Sequence, residues 1–140
     1  MAVMFQGQIT QVKEEGDEVI VFCTLQRKNF KVHNAQLTLE KNSKFYKKFT
    51  DEAKDEKNKR KIFPDSKVIL SFGFTLFGRC DFFGRVESSV AKTEDKKDSV
   101  VVKVLQSPLL IVKFEDNVML EDKYLEKYLK ARNGVYLTFV

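Results

Sequence analysis

Residues 43–61 read SKFYKKFTDEAKDEKNKRK. Phe45 and Phe49 stand four apart with Tyr46 beside them, Asn42 or Ser43 is placed to cap the start, and Pro64 follows the end. This spacing predicts a helix over about 43–61. From Asp51 onward Ala53 is the one apolar residue. The later half therefore buries no stripe, and is either a solvated helical extension or a loop.

What flanks the segment reads as sheet. Upstream, Phe5, Gly7, Ile9 and Val12 alternate with polar residues, Glu15-Gly16-Asp17 supplies a turn, and Val19, Val21, Cys23 and Leu25 alternate again, a hairpin pattern. A basic turn follows, with a bend expected near His33-Asn34, and Leu37 and Leu39 close a third strand. Downstream, Val68, Leu70, Phe72, Phe74 and Leu76 alternate over 68–77, then come Phe82 or Phe83, Val86 and Val90. A polar hairpin loop is expected over 92–98, then strands through Val100, Val102 and Val104 and over 109–114. Leu120, Tyr124, Leu125, Tyr128 and Leu129 recur at helical spacing, with Tyr124, Leu125, Tyr128 and Leu129 read as the underside of a docked helix. Gly134 reads as a left-handed stop before a strand over 135–140. One short echo stands out: Phe5-Gln6-Gly7-Gln8-Ile9 against Phe82-Phe83-Gly84-Arg85-Val86. A glycine inside a strand lets the backbone bend, as a strand coiling round a small barrel must.

The 140 residues suit one domain with a core of its own, and 43% hydrophobic against 32% charged residues is a globular balance. Apolar runs such as 68–77 and 108–112 are far too short to span a bilayer, and no basic start leads into an apolar block, so secretion and membrane insertion are not expected. Cys23 and Cys80 lie apart within strand patterns and read as free, buried thiols, which fits the cytoplasm. The net charge is +5, and nine Lys or Arg against four acids over 41–61 supply an equal excess, so the positive field is local.

By order of elements, the strands before Asn42, the helix after them and the strands over 67–90 resemble the OB-fold single-stranded-DNA-binding proteins of bacteria and their mobile elements. The resemblance implies a mainly β fold with two helices. Its centre is an OB-like five-stranded barrel with a helix between strands 3 and 4. It would form a single domain over 1–140, with a core over about 3–90 and C-terminal strand and helix additions over about 98–140. It also implies noncatalytic binding of single-stranded DNA, or RNA, with little sequence preference, by protomers arrayed along the strand.

Such binding needs cations that follow the phosphates and exposed rings on which bases stack, each stack being worth about 1–3 kcal/mol. Phe77-Gly78-Arg79 and Phe83-Gly84-Arg85 each set a ring, a bendable residue and a guanidinium at one strand junction. Phe30 among Arg27, Lys28 and Lys31 is a second candidate, and Lys59, Arg60 and Lys61 a third. The bland readings are core phenylalanines, a solvated basic turn and ion-paired helix charges. His33 is the sole histidine and there is no Cys pair near it, so no metal or other cofactor is expected. No phosphate loop or nucleophile elbow appears, and carboxylate pairs such as Glu121/Asp122 are expected to be exposed, so no enzyme activity is expected. A third reading, a metal-independent enzyme with an unfamiliar site, is carried by Ser71, Thr75, Asp81 and Glu87 near the strand junction, for which the sequence offers no activating base. The alternative is a protein-interaction module: a phage- or plasmid-borne inhibitor of a host protein, or a small structural subunit using exposed sheet edges.

Overall fold

A computed structural model describes residues 3–41, 64–73, 82–94, 97–104, 109–131 and 134–139. They form β1 (Val3–Glu15), β2 (Glu18–Arg27), β3 (Val32–Glu40), β4 (Lys67–Phe72), β5 (Phe82–Glu94), β6 (Lys97–Val104) and β7 (Leu109–Phe114). Two short helices, α1 (Val118–Glu121) and α2 (Lys123–Lys130), and then β8 (Gly134–Phe139) complete the order. The strands close into one antiparallel barrel in the order β1-β2-β3-β7-β6-β5-β8-β4. Eight strands replace the expected five. β7 pairs with β3, and β8 bridges β4 and β5, so the segments expected as C-terminal additions are staves of the wall. The expected helix over 43–61 and the strand residues 74–77 lie outside the described residues.

Alternation builds the wall. Val19, Val21, Cys23 and Leu25 of β2 point inward, while Ile20, Phe22 and Thr24 are half-buried outside. Phe5, Phe72 and Phe114 meet at the centre, Phe5 lying edge-on to Phe72 at 6.3 Å and tilted to Phe114 at 5.5 Å. Each such fully buried ring contributes about 1.5–3 kcal/mol through water exclusion. Three local expectations change. β3 runs unbroken through His33-Asn34, and the chain turns instead at Lys28-Asn29, with Asn29 at φ 68°. β5 and β6 pair as far as Glu94 opposite Lys97, so their connection is tighter than a 92–98 loop. The C-terminal helix breaks at Asp122: Leu125 and Leu129 are buried and Tyr128 packs partly against the core, but Leu120 and Tyr124 face solvent.

The short echo marks a two-fold plan. β4-β1-β2-β3 and β8-β5-β6-β7 are equivalent halves with the same registers: Phe5 faces Leu70 as Phe82 faces Leu137, and Gly7 faces Val68 as Gly84 faces Val135. Each first strand slips register just after its glycine, between Ile9 and Gln11 and between Val86 and Ser88. The halves join where equivalent residues face each other, Leu37 against Val112 and Leu70 against Leu137. Both glycines sit where strands approach closely. A Cβ on Gly7 would collide with the Thr24 carbonyl, and one on Gly84 would lie 2.5 Å from Val102 Cγ1. Gly134 is not a left-handed stop. It opens β8, where a Cβ would lie 2.6 Å from the Phe83 ring. No helix among the described residues is long and apolar enough to cross a membrane.

Candidate binding surface

The turn joining β2 to β3 carries Arg27, Lys28, Phe30 and Lys31, and the structure brings Arg27 and Lys31 to the helical segment. Arg27 Nη1 donates to both oxygens of Asp122, at 2.7 and 2.6 Å; the two side chains are 19% and 1% exposed. The guanidinium also lies over the Phe30 ring at 5.0 Å and the Tyr124 ring at 5.5 Å, a cation held between two aromatic faces. Asp122 is fixed in turn by capping α2, accepting from the backbone N–H groups of Tyr124 and Leu125. It is buried, contrary to the expected exposure of the Glu121/Asp122 pair.

Lys31 Nζ lies 2.8 Å from Glu121 Oε1 and 3.8 Å from Asp116 Oδ2, and the bond to Glu121 raises its pKa. Beneath it His33 is buried, with Nε2 3.5 Å from Glu121 and Nδ1 3.7 Å from Asp116, and Nδ1 has no hydrogen-bond partner. Asp98, also buried, accepts from the Met119 backbone N–H at 3.0 Å, and its burial pushes the carboxyl above the ordinary aspartate range. Two of the three turn cations are thus neutralised by carboxylates about 90 positions away in sequence, which local reading cannot reach. The one local signal was Asp122 itself, an acid just before an apolar helical repeat. Lys28 is exposed and, of the three, is the one that makes no hydrogen bond or ion pair with a described residue.

On the opposite half, Phe82 turns into the core while Phe83 turns out, half-buried and stacked on Tyr136 at 4.8 Å. Arg85, on the same outer face, is exposed and lies opposite Lys103 of β6. Phe77, Arg79, Lys59, Arg60 and Lys61 lie outside the described residues.

Between these two places run two outward rows of the wall. One outward row crosses five strands as Val32, Gln26, Gln6, Ile69 and Thr138; the next runs Met4, Ser71, Tyr136 and Phe83. Among the described residues neither row holds an ionic residue, in a chain that is 32% charged. At the β3 end, Met4, Gln6, Gln26, Lys28 and Asn29 line a half-open groove of about 450 Å³. Gln26 is oriented there by donating to the Phe30 carbonyl at 2.7 Å.

Cys23 is a free, buried thiol, and burial pushes its pKa up to about 12. Among the described residues no group of His, Cys, Asp and Glu could hold a metal ion. No protein-family model matches the chain, and no curated protein matches it.

Proposed function

We propose that the protein is a noncatalytic binding module that docks onto another protein through an outer face of its barrel. The supporting observation is the distribution of charge. The turn cations Arg27 and Lys31 are held by Asp122 and Glu121, and two adjacent outward rows across the sheet hold no ionic group among the described residues. Interface centres are depleted in charge and tolerate amides, hydroxyls and aromatic rings, whereas a phosphate backbone calls for cations in series. Every described strand has two neighbours in the closed barrel, so docking uses side chains rather than strand addition at an open edge.

The test is retention of a partner by the tagged full chain from a nuclease-treated lysate of its source cells, compared with a variant carrying Met4→Glu and Tyr136→Glu. One dominant protein retained by the native chain and released by the variant is expected. Retention that disappears on nuclease treatment refutes the reading.

A second reading, favoured by the outward Phe83 ring and the exposed Arg85, is sequence-tolerant binding of single-stranded DNA or RNA on an OB-like plan. It requires a labelled oligonucleotide to bind at low salt with an affinity that falls steeply as salt is added, and Phe83→Ala with Arg85→Ala to weaken it. Undetectable binding at low salt ends this reading.

A further inference from the structure

We infer that the groove beside Lys28 receives an otherwise uncharged stretch of a partner protein through a single carboxylate on that stretch. The inference rests on the protein-docking reading and names the chemistry of the occupant. Lys28 is the one cation of its turn without a partner among the described residues: Arg27 lies over two rings and is paired with Asp122, and Lys31 is paired with Glu121. Among the described residues the rest of the groove lining is Met4, Gln6, Gln26 and Asn29, with no carboxylate among them. A single uncompensated ammonium in neutral surroundings is complementary to a single negative charge in neutral surroundings.

A nucleic-acid strand fits less well. It carries one charge per nucleotide, and the described residues of the rows leading away from Lys28 offer no second cation. Primary amides both donate and accept hydrogen bonds, as a peptide backbone does, so Gln6, Gln26 and Asn29 match the flanks of a peptide chain. The site is also preformed. Gln26 is oriented by the Phe30 carbonyl, and the turn is shaped by Asn29 in the left-handed region. The groove volume of about 450 Å³ lies within the range of small binding sites and accommodates an acidic side chain with its neighbours.

The test pans a phage-displayed random dodecapeptide library on the immobilised full chain, in parallel with its Lys28→Glu variant. Lys28 is exposed, and coincident thermal unfolding curves check that the variant is folded. The native chain should enrich peptides with one Asp or Glu among uncharged residues. A fluorescein-labelled winner should lose about tenfold or more in affinity on Lys28→Glu, while Lys113→Glu, exposed on β7, leaves it unchanged. Panning on Lys28→Glu should exchange the acidic residue for Lys or Arg. The inference is overturned if no peptide is enriched, if the winners lack an acidic residue, or if their affinity survives Lys28→Glu. It is equally overturned if a labelled oligothymidylate, rather than any peptide, binds in a Lys28-dependent way. A lysate partner released by Met4→Glu with Tyr136→Glu but still held by Lys28→Glu removes the groove and leaves the docking wall standing.

Discussion

Asp122 has two duties, and two substitutions separate them. Its carboxylate pairs with Arg27 at 2.6–2.7 Å and caps α2 through the N–H groups of Tyr124 and Leu125. Asp122→Asn keeps a capping oxygen but removes the charge, leaving the Arg27 guanidinium without its counterion. Breaking a buried pair costs about 3–5 kcal/mol, and Arg27 at 19% exposure retains some water, so we expect about 3 kcal/mol for Asp122→Asn. Asp122→Ala also deletes the cap, worth about 1 kcal/mol more. At about 4 °C per kcal/mol for a chain of this size, Asp122→Asn should lower Tm by about 12 °C. Urea unfolding followed by circular dichroism reads both values. Converting the pair together, Arg27→Met with Asp122→Asn, should restore part of the loss, because no charge is then stranded. If Asp122→Asn costs less than about 1 kcal/mol, the pair is screened by solvent and the helical segment is not anchored as reasoned.

Three further outcomes follow from particular residues. Gly7→Ala should destabilise by about 2–4 kcal/mol in chemical denaturation, since its Cβ meets the Thr24 backbone. Gly16→Ala, at φ 58° with open space around it, should cost only about 1 kcal/mol; equal costs would contradict the close approach. With Cys80→Ser in place to isolate it, Cys23 should react with iodoacetamide at pH 8 about a thousandfold more slowly in the native state than in urea, because a pKa of about 12 leaves almost no thiolate. Comparable rates would place the thiol in solvent. Asp98 has a raised folded-state pKa, so the native state binds its proton more tightly than the unfolded chain, and stability from this group declines as pH rises from about 3.9 through the folded value. Asp98→Asn should therefore gain relative to the native chain across that rise, and a stability difference independent of pH would refute it.

The first hairpin, the inward alternation of Val19 to Leu25 and the Leu125/Leu129 pair were legible because they depend on neighbours two to four positions apart. Even the two-fold plan left a trace, since Gly7 and Gly84 face the same steric demand at equivalent stations. The binding surface was read less well. Phe30 and its cations looked like one basic patch, but charge is a property of what faces what. Arg27 meets Asp122 across 95 positions, and Tyr124, which looked like core, closes the sandwich over the same guanidinium.

By itself the sequence determined a mainly β chain with alternating faces, a free buried thiol at Cys23 and the turn at Gly16. These follow from side-chain period and backbone sterics, which act over a few residues. Only the tertiary structure decided that eight strands close instead of five, that two of three turn cations are neutralised, and that the described residues of two outward rows between the turn and Phe83 hold no ionic group. Strand partners and ion pairs are chosen by contacts between distant segments, and each contact exists only once the barrel has brought its two sides together.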